Sequence, residues 1–175
     1  MVKAVLAAVT ACALLTAPVR AACWNGEEAS AATVRELQSM LMVAALRCQV
    51  SGHALMEDYN RFVVANRAAI GAMNDRLKAH FIHAGGPVAG QRAYDSFTTS
   101  MANGYGGAAS GGETCNTAGS LAREAALMAG SVEGLLLIAE REGLVARLPE
   151  GLCRAAVAER VASAGSSIET AVLHH

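Results

Sequence analysis

Two histidines stand at a spacing that suits a metal ion. His80 and His83 are three residues apart, so on a helix their imidazole rings would lie on one face and could ligate zinc or another transition metal. His53 or the C-terminal histidine pair could add a ligand. The alternative is that His83 favours the negative end of the helix dipole while His80 packs beside Phe81. We predict the second arrangement, because no Asp or Glu stands at a spacing that completes a ligand set.

Asn66 is the second residue whose position suggests chemistry. It falls on the apolar stripe of the longest predicted helix, and a buried amide must be hydrogen-bonded. Asn66 therefore either fixes the register of the core or belongs to a polar pocket. Such a pocket could draw on Tyr59 from the same helix and on Tyr94 and Asp95 from the next helix, and it could hold a small polar ligand. Our prediction is the structural role, which is the more common one for a buried polar group.

Other motifs give no indication of catalysis. The chain has no G-x-S-x-G, H-E-x-x-H or Walker motif and no C-x-x-C-H for covalent haem. Segment 104–109 fits the loose dinucleotide pattern G-x-G-x-x-A, but it follows a predicted helix rather than a strand, so we interpret it as a flexible linker. The methionines are scattered over several helices, as is typical of core residues. We therefore predict no cofactor and do not expect an enzyme.

The N-terminus has the composition of a secretory signal peptide. A single positive charge precedes an uncharged apolar run over residues 4–17. Val19 and Ala21 then supply the small side chains that a signal peptidase reads, so we predict a signal peptide, residues 1–21, that is cleaved after Ala21. The mature protein would be periplasmic or secreted. The alternative is a lipid anchor on Cys23, which the arginine three residues before it disfavours.

The mature chain, residues 22–175, is long enough for a single domain with its own core. Removing Lys3 and Arg20 from the 14 basic residues leaves 12 against 15 acidic ones, or a net charge of −3. A faintly acidic surface is a poor match to nucleic acid or anionic lipid. No segment is both long and apolar enough to span a bilayer. These features predict a soluble domain that neither binds nucleic acid nor is integral to a membrane.

Apolar residues recur at helical spacing, and no segment alternates with the period of a strand, so the predicted fold is all-α. Asn25 and Glu28 form a capping box for the first helix. Gly130 and Gly134 are expected to leave a flat face on the fourth helix. We predict an up-and-down antiparallel bundle of four main helices followed by a short C-terminal helix. Their approximate bounds are 25–50, 55 to the Gly85-Gly86-Pro87 break, 88–103, 117–141 and 154–168.

Four cysteines remain in the mature chain, an even number that in an exported protein indicates two disulfides. In an up-and-down bundle, Cys23 lies at the end where the first helix begins, and the fourth helix returns the chain to that end before Cys153. Cys48 and Cys115 lie at the opposite end. We therefore predict the pairs Cys23 with Cys153 and Cys48 with Cys115, each closing a long loop and contributing on the order of 4 kcal/mol.

Two classes of function are consistent with these features. The first, which the lack of a catalytic motif favours, is a non-enzymatic binding or interaction module whose partner is an envelope protein or a small ligand. The second is a bundle that binds a metal ion, haem or a small ligand. It would use His80 and His83 or the polar pocket around Asn66, and it could be enzymatic.

Overall fold

A computed structural model describes residues 23–52, 54–108, 111–154 and 157 of the 175-residue chain. The predicted signal peptide, His53, the C-terminal histidine pair and most of the predicted fifth helix lie outside the described residues. The described part is helical and has no strand beyond one isolated bridge, which confirms the all-α prediction. Its helices are α1 (Gly26–Val50), α2 (Leu55–Ala65), α3 (Arg67–Gly104), α4 (Gly112–Leu127) and α5 (Val132–Arg141).

Helix α1 begins at the predicted capping box. The side chain of Asn25 accepts a hydrogen bond from the backbone N–H of Glu28 at 2.9 Å, and Glu28 Oε2 accepts one from the backbone N–H of Asn25 at 2.9 Å. The helix then contacts each of the other four helices. Helix α1 is thus the central element of the described fold. No helix in this part of the chain reaches the length and hydropathy that a membrane span requires.

The predicted second helix is divided at Asn66. Helix α2 ends one residue before it and α3 begins one residue after it, and Asn66 itself has φ −110° and ψ 17°. The prediction of a single helix in this region is therefore wrong. A break of one residue leaves the spacing of the apolar side chains almost unchanged, so the periodicity could not reveal it.

Helix α3 is broken at Gly86, where the sequence predicts the end of one helix and the start of the next. Gly86 has φ 73° and ψ 176°, a conformation that only glycine adopts readily. Pro87 then opens the second half, as proline commonly does at the first position of a helix. The two halves, 67–85 and 87–104, lie against each other so closely that a Cβ on Gly90 would be 2.4 Å from the carbonyl oxygen of Phe81.

The predicted fourth helix is also two helices. Between α4 and α5 the chain turns through Ala129 (φ 48°) and Gly130 (φ 91°). Ser131 then caps α5 by accepting a hydrogen bond from the N–H of Gly134 at 3.0 Å. The prediction that Gly130 and Gly134 form a flat helix face is wrong, because Gly130 is used for its left-handed conformation in a turn.

The two disulfides join the pairs that the sequence analysis predicts. Cys23 is bonded to Cys153 across 130 residues, and Cys48 to Cys115 across 67 residues, with Cα–Cα distances of 4.9 and 5.8 Å. Both distances lie in the usual range for a disulfide. The antiparallel up-and-down arrangement from which we derived the pairs stays a prediction.

Buried apolar side chains form two clusters. The main cluster draws on all five helices and contains the apolar stripe of α1. The second, which we call the Trp24 cluster, surrounds the fully buried indole of Trp24. Its other buried members are Ala31, Ala32, Leu77, Met101 and Ala146, and Phe81, Tyr94, Phe97 and Leu148 pack against it.

Candidate functional site

The two histidines of the candidate metal site have different surroundings. The ring of His80 is buried and stacks on Trp24 with 3.8 Å between ring centroids, and its Nδ1 lies 3.2 Å from Glu28 Oε2. It also lies edge-on to Phe81, as predicted, at 5.2 Å. His83 is exposed. Within the described residues, no three His, Cys, Asp or Glu side chains are grouped as a metal site would require. The structure therefore places His80 in the core.

The four residues of the candidate polar pocket divide between two regions. Tyr59 packs against the main cluster and Asn66 is fully buried. Tyr94 packs against the Trp24 cluster, while Asp95 is exposed and accepts a hydrogen bond from Gln91 Nε2 at 2.8 Å. None of the four lines any of the three cavities described below. The structure does not bring them together in one pocket.

Asn66 instead connects the two helix breaks. Its Nδ2 donates to the carbonyl oxygens of Phe62 at 3.0 Å and Ala125 at 2.9 Å, near the ends of α2 and α4. Its Oδ1 accepts from the N–H of Gly130 at 2.8 Å, in the turn before α5. These are backbone groups at helix ends and in a turn, and the carbonyl oxygens of Phe62 and Ala125 also accept bonds from the backbone N–H groups of Asn66 and Met128. The contacts support the structural role of Asn66.

A cleft of about 650 Å³ is the first of three cavities. It opens between α1, the second half of α3 and residues 143–149, which follow α5 and which we call the wall segment. Its volume is within the usual range for small-molecule sites. Its floor is apolar, and several polar side chains line it. The apolar residues include Phe81, Phe97, Met101, Leu144 and Val145, and the polar ones are Glu36, Ser96, Ser100, Tyr105 and Arg147.

The wall segment has no regular secondary structure but is anchored at both ends. At its start, the N–H of Leu144 donates to the carbonyl oxygen of Ala139 at 2.8 Å. At its end, the indole N–H of Trp24 donates to the carbonyl oxygen of Pro149 at 2.7 Å. Just beyond, the N–H of Cys153 donates to the carbonyl oxygen of Trp24 at 2.8 Å beside the disulfide. These contacts hold the wall segment, and with it Arg147, over the Trp24 cluster.

Glu36 is a half-buried carboxylate in this cleft. The hydroxyl of Tyr105, which follows the end of α3, donates a hydrogen bond to Glu36 Oε1. Burial raises the pKa of Glu36, although the bond from Tyr105 and the charge of Arg147 act in the opposite direction. Burial and the neighbouring Glu36 together raise the pKa of Tyr105, which therefore stays protonated and a hydrogen-bond donor at neutral pH.

The two smaller cavities differ from this cleft. One of about 390 Å³ adjoins it, because Tyr105 lines both, and is bounded by α1 and α4. Another of about 300 Å³ lies beside Asp58 and Arg123. There the two charges neutralise each other through an ion pair at 2.5 Å. In the cleft, by contrast, Glu36 and Arg147 are not within ion-pair distance of each other, so both charged groups face the cavity without being paired together.

Three residues give the cleft its charge and hydrogen bonding, and none of them is predicted from the sequence. Glu36 looks like any polar residue on an amphipathic helix, and Tyr105 and Arg147 lie in segments without a regular pattern. Their positions in the chain are far apart, and only the tertiary fold brings them to one cavity. The one available signal is weak: Tyr105 is an aromatic residue within a glycine-rich run.

Comparison with known proteins identifies no family for this chain. It matches no family model, no curated protein and no solved structure. We therefore infer its function from the cleft and its side chains.

Proposed function

We propose that the protein is an exported, non-enzymatic binding module that holds a small ligand in the cleft beside Glu36. The observation that carries this proposal is the half-buried carboxylate of Glu36 in the wall of a cavity of about 650 Å³ with an apolar floor. Because burial raises the pKa of Glu36, its ionised form is held there at a cost to folding. Ionisable groups kept in a cavity at such a cost are typical of functional sites.

The side chains of the cleft suit recognition better than catalysis. The ionisable residues that line it are Glu36, Tyr105 and Arg147, and neither His nor Cys is among its lining residues. The carboxylate of Glu36 already accepts a hydrogen bond from the hydroxyl of Tyr105, and the raised pKa of Tyr105 keeps that hydroxyl protonated, so it does not act as a base at neutral pH. These groups can orient a ligand by hydrogen bonds and charge, while the aromatic floor packs against its apolar part.

The proposal places the mature protein in the periplasm or outside the cell. The composition of residues 1–21 and the two disulfides support an oxidising compartment. We also propose that the helices form an antiparallel up-and-down bundle, since this topology yields the two cysteine pairs. N-terminal sequencing of the exported protein should begin at Ala22. A chain that begins with a lipid-modified Cys23 would contradict the predicted cleavage.

Native mass spectrometry of the exported protein tests the binding function. We expect a co-purifying small molecule, or a library compound that raises the melting temperature, and we expect Glu36→Gln to lose it. The matched control is Glu140→Gln, which changes an exposed glutamate on α5 and should leave binding intact. If the wild type carries the mass of the bare polypeptide and no compound shifts its melting temperature, the proposed function is wrong.

A further inference from the structure

We infer that the cleft binds a zwitterion with an apolar body, a small molecule that carries both an ammonium group and a carboxylate, as a hydrophobic amino acid does. This inference rests on the proposed function of the cleft as a ligand site. It names the chemical class of the ligand from the charges and the floor of the cavity.

The cleft contains two opposite charges that do not form an ion pair with each other. Some arginines of the described surface are neutralised at close range, as Arg141 is by Glu124 at 2.7 Å through both carboxylate oxygens. Arg147 has no ion-pair partner within the described residues, although its charge partly offsets the rise in the pKa of Glu36 that burial causes. The cavity is therefore lined by a positively charged side chain and, apart from it, a negatively charged one.

Both charged groups retain unused hydrogen-bonding capacity. Glu36 Oε1 accepts from Tyr105, whereas no hydrogen bond to Glu36 Oε2 is made by any described residue. An ionised carboxylate offers about four acceptor positions, and an ammonium group supplies three donors. The guanidinium of Arg147 is exposed, and its planar fork of donors matches a carboxylate. An ammonium group can thus bind at Glu36 while a carboxylate binds at Arg147.

The apolar floor of the cleft can accommodate the apolar part of such a ligand. Phe81, Phe97 and Met101 line the cleft and form the outer side of the Trp24 cluster, so an apolar body can pack on them. A ligand with a single charge would cover either Glu36 or Arg147 without pairing it, and a desolvated, unpaired charge is penalised. The cleft should therefore discriminate against both simple carboxylates and simple amines of the same shape.

Isothermal titration with matched probes tests this class of ligand. The zwitterions are L-leucine and L-phenylalanine. The blocked probes are the amide of each, which lacks the carboxylate, the N-acetyl form, which lacks the ammonium group, and the N-acetyl amide, which lacks both. We expect at least one of the zwitterions to bind, and each blocked form of it to bind about tenfold or more weakly. The fluorescence of Trp24, the only tryptophan, gives a second readout because its ring lies 5.5 Å from Phe97.

Two variants test which residue binds each charged group of the ligand. In Arg147→Gln, the amide should bind as well as the zwitterion, because the partner of the carboxylate is gone. In Glu36→Gln, the N-acetyl form should bind as well as the zwitterion. The control is Arg92→Gln, which changes an exposed arginine on α3 and should preserve the wild-type order of probes.

The outcomes separate this inference from the proposed function. If a singly charged or neutral probe binds best and the two variants alter its affinity, the cleft is a ligand site but its ligand is not a zwitterion. If the zwitterions bind with affinities that neither variant changes, they bind elsewhere and the inference is overturned. If no probe binds while another ligand co-purifies and is lost in Glu36→Gln, only the inference fails. If nothing binds or co-purifies, both fail.

Discussion

At the scale of a single residue, Glu36 links the stability of the fold to the proposed ligand site, and this link is testable by pH. Because its folded-state pKa is raised, chiefly by burial, its contribution to stability is fully present below the unfolded pKa of about 4.3 and is lost as pH rises through the folded pKa. Glu36→Gln keeps an acceptor for Tyr105 without the charge. We expect this variant to melt at a higher temperature than the wild type at pH 7, with the difference disappearing near pH 4. Circular-dichroism melts across this range check the prediction, and Glu140→Gln should show no such pH-dependent gain.

Asn66 supports the opposite prediction, because its amide is fully buried and bonded to backbone on both sides. Asn66→Ala and Asn66→Leu should each lower the free energy of unfolding by about 1–3 kcal/mol. Asn66→Asp should lower it further, since a carboxylate can accept from Gly130 but cannot donate to Ala125. Urea unfolding measures these changes, with Asn60→Ala on the exposed side of α2 as the control. A variant at Asn66 that gained stability and lost a co-purifying ligand would show a binding role instead.

The sequence predicts whether some residues are buried more reliably than it predicts which residues they contact. Burial and hydrogen bonding of Asn66 follow from its place on an apolar stripe, but Ala125 and Gly130 as its partners depend on two helix breaks that the pattern does not contain. His80 was expected beside Phe81, whereas its stack on Trp24 depends on residues that precede α1. The two charged residues of the cleft could not be predicted. The local sequence around Glu36 and around Arg147 looks the same as that around any charged surface residue.

At the scale of the elements, helices are more predictable than their interruptions. The break at Gly86 is predicted because two glycines followed by a proline usually end a helix. The breaks at Asn66 and at 128–131 were missed for a physical reason. Each break is only one to four residues long. The apolar residues on either side therefore keep nearly the same helical spacing, and the two flanking helices look like one in the sequence.

Two glycines in α3 should respond oppositely to the same substitution. In Gly90→Ala, the new Cβ would lie 2.4 Å from the backbone oxygen of Phe81, so the halves of α3 must separate, at a cost of about 1–3 kcal/mol. In Gly71→Ala, the new methyl group meets nothing within 4 Å, and the gain in helix propensity is up to about 1 kcal/mol. Urea unfolding of both variants checks the signs. Equal effects would mean that the halves of α3 do not approach as described.

At the scale of the whole molecule, the two disulfides should have different functional effects. Replacing either pair by serine should destabilise the fold by on the order of 4 kcal/mol, because each closes a long loop. Only the loss of Cys23 and Cys153 should also abolish ligand binding, since that disulfide lies beside the anchor of the wall segment. Loss of Cys48 and Cys115 should leave the affinity of the remaining folded protein unchanged. Peptide mapping without reduction, followed by titration below the melting temperature of each variant, checks both statements.

The bond between Cys23 and Cys153 also sets the order in which the molecule is completed. Cys48 and Cys115 can meet once three helices and the first turn of α4 have been synthesised, whereas Cys23 must wait for a partner 130 residues later. Arg147 and the rest of the wall segment are among the last described residues to be made, and their anchor is the residue next to Cys23. A nascent chain therefore has its central helix long before it has a cleft. The proposed ligand site is complete only when the wall segment is joined to the residues beside Cys23.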